Sequence, residues 1–208
     1  NLLSPIIYES FASESNSSFE NEPTLIADID YTKASNWFTF SPIDSGSKPV
    51  SGESQFINLN YQPPAATLSE RPVREEQYNL AIPSLGIKEA IVKANTDDLT
   101  KSLIQYQQTA YPGEAGAPVI FGHSTLPQFF NPKNYLTIFS TLPSLKIGAD
   151  IFVDYAGVKY TYRVSKMYEV KPNEFWVLKQ DYNNKILKLI TCVPPGTKLR
   201  RLVVEAEL

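Results

Sequence analysis

The sequence predicts a mostly antiparallel β-barrel with short helices in its loops. Three observations support this fold class. Short apolar runs follow one another from about residue 78 to the end of the chain, turn residues separate them, and few stretches offer room for a long helix. The chain has 208 residues, of which 42% are hydrophobic, so it can bury a sizeable core.

The first 70 residues differ from the rest in composition. They are rich in Ser and Asn and carry nine acidic and two basic side chains, whereas residues 71–208 carry 13 acidic and 17 basic ones. Apolar, strand-like islands at 25–26, 37–40 and 56–61 make this part too aromatic for a free linker. We therefore expect two parts: an acidic extension over residues 1–70 that packs on the barrel, and a main domain over residues 71–208.

The elements of the main domain can be assigned in order. The predicted strands are Leu80–Pro83, Ile87–Val92, Pro118–Phe121, Ile151–Val153, Tyr160–Val164, Met167–Val170, Ile186–Thr191 and Leu202–Ala206. The best helical candidates are Asp98–Gln108 and Tyr135–Leu142, each two or three turns long.

Charge and composition exclude several function classes. The formal net charge of -3 argues against a general nucleic-acid binder, whose affinity depends on Lys and Arg contacts to phosphates. One Cys and one His cannot form a disulfide framework or a structural zinc site. Carboxylates are the only plentiful ligands and would suit calcium, but we interpret Glu75-Glu76 and Asp97-Asp98 as solvated turns and assign no metal or cofactor. No membrane-spanning run or signal peptide is recognisable.

Cys192 and His123 each stand at the end of an apolar run beside turn residues. Cys192 follows Ile186–Thr191 and precedes a Pro-Pro-Gly loop, and His123 follows Val119–Gly122. Barrels present functional side chains at such positions, on loops held by a rigid scaffold. A buried Cys that acts as a small hydrophobe, and a structural His, are the ordinary alternatives.

A nucleophilic Cys also needs a base or a positive charge nearby and donors for the oxyanion that forms when it attacks a carbonyl group. Arg200 and Arg201 lie eight and nine residues after Cys192, at the start of the next apolar run. If the two runs are neighbouring strands, an Arg at the start of the second faces a Cys at the end of the first. Two solvated surface arginines are the alternative.

These motifs together resemble those of the sortases, the bacterial cysteine transpeptidases that attach proteins to cell walls or link pilins. Thr191-Cys192 followed by Arg201–Val204 is similar to the active-site signature of the family, and Val119–Ser124 is similar to its histidine motif. Residues 81–87, 111–113 and 148–151 resemble further family motifs. The resemblance covers about residues 78–208.

The resemblance implies an eight-stranded sortase-type barrel. It implies that Cys192 attacks the Thr-Gly bond of an LPxTG-like sorting signal and that the thioester is resolved by an amine of peptidoglycan or a pilin. His123 would serve as acid and base, Arg201 would bind the substrate backbone and the oxyanion, and Thr191 would help to orient substrate or Arg201. We expect a location on the outer face of the bacterial membrane or in the cell wall, with a membrane anchor outside this sequence.

The class of sortase and two other functions stay open at this point. The short loop over residues 193–199 argues against class A, and no Asp-Pro-aromatic lid motif of class C is present, so we expect a class D- or E-like or an unclassified enzyme. Asn36-Trp37-Phe38 is the nearest match to an aromatic lid plug, and shielding by residues 1–70 is a hypothesis. The alternatives are a cysteine hydrolase, in which water resolves the thioester, and a non-catalytic surface binding module.

Overall fold

The computed structural model describes residues 32–37 and 74–208. Its strands are β1 Gln77–Ile82, β2 Ile87–Lys93, β3 Leu103–Gln105, β4 Val119–Phe121, β5 Asp150–Tyr155, β6 Val158–Val170, β7 Ile186–Val193 and β8 Arg200–Glu207. They form a closed barrel in the order β1-β2-β3-β4-β7-β8-β6-β5. All neighbours are antiparallel except the parallel pairs β2–β3 and β4–β7. The predicted fold class is confirmed.

The helices of the described residues are short 3₁₀ turns. They span Ala34–Asn36, Pro83–Leu85, Pro127–Phe129, Leu142–Ser144 and Phe175–Leu178. No helix in this part of the chain has the length and apolar composition needed to cross a bilayer. The strand-like islands at residues 25–26, 38–40 and 56–61 lie outside the described residues, and Trp37 follows a 3₁₀ turn rather than forming part of a strand.

Both predicted helices are wrong. Asp98–Gln108 contains β3, in which three consecutive side chains are buried. Alternation along the strand turns Leu103 to the barrel interior and Ile104 to the opposite side, and both are buried in apolar clusters. β2 and β4 pair with the two edges of the strand. Tyr135–Leu142 forms turns that lead into the 3₁₀ turn at 142–144. The predicted strands at 160–164 and 167–170 are one strand, β6, with a register irregularity between Val164 and Lys166.

Period-two alternation divides the buried side chains between two faces of the barrel wall. Leu187, Leu189 and Val193 of β7 face the interior, where they join the main core. Ile190 and Cys192 face the other way and belong to a second cluster, which we call the outer cluster. Its members are Ala34, Trp37, Leu99, Ile104, Val119, Phe121, Val170, Val177, Ile190, Cys192 and Val203. The candidate site lies at this outer cluster.

Candidate active site

Cys192 and Arg201 form a direct cross-strand pair between β7 and β8. Antiparallel pairing puts opposite residues on the same face, with their Cβ atoms roughly 5 Å apart. On the other side of β7, Phe121 of β4 pairs with Ile190, so His123 and Cys192 each stand two residues beyond that pair. The rings of Phe121 and His123 lie 5.4 and 5.6 Å from the ring of Trp37, so His123 lies on the same side as Phe121 although β4 ends before it. The outer face of three adjacent strands therefore carries all three residues that the sequence predicts as catalytic.

The two neighbouring arginines have different surroundings. Arg201 is fully buried, and its guanidinium donates hydrogen bonds to the carbonyl oxygens of Trp37, Lys198 and Arg200 at 2.8 to 3.2 Å. Arg200 points away and is about half exposed, with its Nε 2.8 Å from the carboxylate of Glu169. Alternation along β8 explains the difference, and it leaves Arg201 as the arginine of the site.

His123 is held in place by the backbone on both sides of it. Its carbonyl accepts a hydrogen bond of 2.9 Å from the Phe139 amide. The preceding residue, Gly122, passes so close to neighbouring side chains that an added Cβ would lie 2.4 Å from the Phe139 ring and 2.6 Å from Leu103. Because only glycine fits this approach, Gly122 fixes where β4 ends and where His123 begins.

Trp37 lies at the centre of the site, although it precedes the barrel by 40 residues. Its side chain is fully buried, with its ring 5.6 Å from the His123 ring, 5.4 Å from the Phe121 ring and 5.5 Å from the Arg201 guanidinium carbon. Its carbonyl oxygen accepts two hydrogen bonds, at 2.8 and 3.2 Å, from Arg201. One residue of the N-terminal extension thus contacts two of the three site residues.

The Thr32–Trp37 segment reaches the site along the loop that joins β2 to β3. Lys33 forms an isolated antiparallel bridge with Asp98, the Ala34 amide donates to the Asp97 carbonyl, and the Leu99 amide donates to the Thr32 carbonyl. The Lys33 ammonium also lies 3.4 Å from the Asp97 carboxylate in a half-exposed ion pair. These contacts lead to Trp37, which belongs to the same buried cluster as Cys192, and Cys192 is only 4% exposed.

Burial controls the ionisation of Cys192 in this closed arrangement. Desolvation raises the pKa of the thiol above its ordinary value, and the positive charges of Arg201 and Lys198 act in the opposite direction. Burial is the larger effect. Admitting water to the thiol would relieve this desolvation and lower the pKa of Cys192.

The connection between β6 and β7 forms another wall of the site. Val177 of the Phe175–Leu178 turn is fully buried in the outer cluster. Lys188 holds this turn in place, because its ammonium donates a hydrogen bond of 2.8 Å to the Val177 carbonyl and lies 3.7 Å from the Glu205 carboxylate. Desolvation lowers the pKa of Lys188.

Thr191 is completely buried, and its hydroxyl donates a hydrogen bond of 2.7 Å to the Gly122 carbonyl. It therefore ties β7 to β4, and its role in substrate orientation stays a prediction. In residues 32–37 and 74–208, no three side chains of His, Cys, Asp and Glu come together as a metal site.

Comparison with known proteins shows the family. A sequence model of the sortase domain matches residues 80–208. The chain belongs to the sortase family. Sortases are bacterial, membrane-associated cell-surface enzymes, and they are cysteine transpeptidases that act on sorting-signal proteins and amine acceptors.

Individual sortases are similar over most of their length. Sortase A of Bacillus anthracis is 26% identical over 163 residues, which is 75% of this chain and 72% of the relative. The solved structure of sortase C-1 from Actinomyces oris is 28% identical with a TM-score of 0.56, covering 64% of this chain and 73% of that one. A lid mutant of sortase A from Corynebacterium diphtheriae is 28% identical with a TM-score of 0.55, covering 66% and 72%. The similar solved structures include sortases of several classes, among them a sortase D5 from Clostridium perfringens at 22% identity, so the class D- or E-like assignment stays a prediction.

Sequence reasoning missed two contributors to this site. Lys188 has no special signal, because a Lys in an alternating strand is ordinarily solvated. Ser124 was treated only as the last residue of the histidine motif, yet its hydroxyl donates a 2.6 Å hydrogen bond to the carbonyl of Cys192. The position of Trp37 was only weakly indicated, by the comparison of Asn36-Trp37-Phe38 with an aromatic lid plug.

Proposed function

We propose that this sortase cleaves an LPxTG-like sorting signal between Thr and Gly and transfers the new carboxyl end to an amine of peptidoglycan or of a pilin. The observation that carries the proposal is the cross-strand pairing of Cys192 with Arg201, on the face that His123 shares. A nucleophile, a proton carrier and a fixed cation on one face match the requirements of acyl transfer through a thioester.

The reaction follows from these three groups. The Cys192 thiolate attacks the Thr carbonyl carbon, and the tetrahedral oxyanion is stabilised by the Arg201 guanidinium. Protonated His123 gives its proton to the departing Gly nitrogen, which leaves a thioester on Cys192. An acceptor amine then attacks the thioester and loses a proton to His123, and the Cys192 thiolate is released.

The hydrogen bonds of Arg201 support its role towards substrate. Its Nε and Nη2 donate to one carbonyl oxygen, that of Trp37, in the fork geometry that a guanidinium offers. A peptide carbonyl or an oxyanion of the substrate would accept the same two donors once Trp37 has left. Lys198 and Arg200 carbonyls occupy the remaining nitrogen, Nη1, and hold the guanidinium in its orientation.

Residues 1–70 form, in this proposal, an extension that shields the site, with Trp37 as the residue that covers it. The supporting observations are the complete burial of Trp37 and the 4% exposure of Cys192. A protein named as a lid mutant is among the similar solved structures. Opening would expose Cys192, lower its pKa and free two donors of Arg201 at the same time.

The burial of Cys192 also favours a second candidate, a binding module with an inert thiol, because burial raises the pKa of a thiol and lowers its reactivity. The two candidates differ in reactivity. The deciding experiment incubates the full chain with sorting-signal peptides, with and without an oligoglycine or Lys-bearing acceptor, and analyses the products by mass spectrometry. We expect a thioester on Cys192 and acceptor-dependent product. Cleavage by water alone would indicate a hydrolase, and no thioester with any peptide would contradict the enzyme.

We also propose a location on the outer face of the bacterial membrane or in the cell wall, where sorting signals and cell-wall amines meet. The family supports this location. Fractionation of the native host followed by immunodetection of the barrel would test it, and recovery from the cytoplasmic fraction would contradict it.

A further inference from the structure

Two side-chain hydroxyl groups continue the hydrogen bonding between β4 and β7 beyond the point where the backbone pairing ends. The last backbone bond of this parallel pair runs from the Gly122 amide to the Ile190 carbonyl, at 3.2 Å. Beyond it, the Thr191 hydroxyl donates to the Gly122 carbonyl at 2.7 Å, and the Ser124 hydroxyl donates to the Cys192 carbonyl at 2.6 Å. The two bonds run in opposite directions across the gap.

These two hydrogen bonds lie on either side of His123 in the sequence. Gly122 and Ser124 are the two sequence neighbours of His123, and each exchanges a hydrogen bond with Thr191 or Cys192. His123 therefore lies between two points at which its strand is tied to the end of β7. The tie at Ser124 reaches the residue Cys192 itself.

The two hydroxyl bonds replace backbone bonds that a regular parallel pair would form at this point. In an evenly spaced parallel ladder, the next two backbone bonds would connect the amide of Cys192 to the carbonyl of Gly122 and the amide of Ser124 to the carbonyl of Cys192. The hydroxyl groups of Thr191 and Ser124 donate to these two carbonyls. Side chains therefore tie the two strand ends together beyond the last backbone bond between them.

We infer that Ser124 is a positioning residue, whose bond to the Cys192 carbonyl fixes the distance between His123 and the Cys192 thiol. The inference rests on the proposed function, since it concerns the attack by Cys192 and the proton transfers between His123 and the leaving and incoming amines. Loss of the hydroxyl would let the His123 loop move, and proton transfer is sensitive to displacements of less than 1 Å. Substrate binding, which depends on other surfaces, would change little.

The test compares Ser124→Ala with Ser124→Thr, which keeps the hydroxyl. Ser144→Ala is the matched control, because the Ser144 hydroxyl also donates to a backbone carbonyl, at 2.7 Å, in the turn at Leu142–Ser144. We expect Ser124→Ala to lower kcat for peptide cleavage about tenfold with KM nearly unchanged, Ser124→Thr to restore kcat, and Ser144→Ala to keep it. An unchanged kcat in Ser124→Ala, or a loss that Ser124→Thr does not restore, would overturn the inference.

A second readout separates this inference from the proposed function. In full chains that carry Trp37→Ala, so that the cover does not limit access, the rate of Cys192 alkylation by iodoacetamide is measured at neutral pH. We expect Ser124→Ala to slow alkylation several-fold when His123 is present, and to have no effect when His123 is replaced by Ala. Equal effects in both backgrounds would overturn the inference, whether or not any peptide is cleaved. If Ser124→Ala does not fold, the pair Thr191→Val and Thr191→Ser provides the same comparison at the other bond.

Discussion

The β7–β8 pair and the Thr32–Trp37 segment contact each other at the site, but they are held in different ways. Cys192 and Arg201 belong to a continuous antiparallel ladder that runs from Ile186↔Glu207 to Val193↔Arg200. Among the described residues, the contacts of the segment with the barrel include an isolated bridge at Lys33↔Asp98, backbone bonds to the β2–β3 loop, the Lys33–Asp97 ion pair and the contacts of Trp37.

This difference has a physical consequence. Breaking the ladder would unfold the barrel, whereas the described contacts of the segment are a few hydrogen bonds, one ion pair and the burial of one indole. In the proposed function, the groups that perform chemistry lie on the ladder, and the group that covers them lies on the segment. The comparison predicts large effects on activity from substitutions in the barrel, and effects on access from substitutions in the segment.

The largest effect is expected at Cys192. Cys192→Ser keeps the size of the side chain but replaces the thiol by a poor nucleophile, so we expect peptide cleavage to fall by about a thousandfold or more. A continuous assay with a quenched sorting-signal peptide measures the loss. Since the chain has one Cys, the variant should also lose all labelling by thiol reagents. Cleavage retained at the level of the unchanged chain would contradict the role of this residue.

The next effect should distinguish the two arginines. Arg201→Lys keeps the charge but loses the planar fork that makes two bonds to one oxygen, and we expect kcat/KM to fall by about a hundredfold. Arg200→Lys is the matched control, because Arg200 is half exposed and pairs with Glu169. It should change kcat/KM by less than about twofold. Equal losses of kcat/KM in the two variants would contradict the assignment of Arg201, rather than Arg200, as the arginine that binds the substrate and the oxyanion.

The smallest effect concerns the ion pair that helps to hold the segment. Asp97→Asn removes the charge that faces Lys33, and half-exposed pairs contribute at most about 1 kcal/mol. We expect alkylation of Cys192 to become about two- to fivefold faster, with less dependence on salt concentration. Asp154→Asn is the control, since its pair with Lys159 is similarly exposed and joins β5 to β6. If both variants label alike, Asp97 does not hold the segment.

Much of the barrel could be predicted because its strands carry local signals. The run that ends at Thr191 and the run that begins at Leu202 are apolar, and a Pro-Pro-Gly loop between them leaves antiparallel pairing as the simple solution. That pairing predicts an Arg opposite Cys192, and the ladder places Arg201 there. The choice of Arg201 over Arg200 was an argument from the family motif, and the alternation of β8 gives it a physical reason.

The remaining features depend on contacts that no local pattern encodes. β3 has only three residues between turns, and it is a strand because its edges pair with β2 and β4 and apolar clusters bury both of its faces. The bond between Trp37 and Arg201 joins residues 164 positions apart. The Ser124 bond needs the end of β4 to lie beside the end of β7, which is set by the parallel register and by the close approach at Gly122. The division at residue 70 stays a prediction.

The central claim is that a reactive Cys192 lies beneath Trp37, and the chain offers a matched comparison because it has two tryptophans. Trp37 is fully buried in the site, whereas Trp176 is 57% exposed and stacks on Tyr168. The most direct measurement is the rate of Cys192 alkylation against pH in the unchanged chain, in Trp37→Ala and in Trp176→Ala.

We expect Trp37→Ala to raise the alkylation rate more than about tenfold, because an indole buried in an apolar cluster contributes several kcal/mol to closure. The pH midpoint of the rate should also fall, since water relieves the desolvation that raises the thiol pKa while Arg201 and Lys198 keep their charges. Trp176→Ala should behave as the unchanged chain. A Cys192 that stays unreactive in Trp37→Ala until the barrel is denatured would contradict the account.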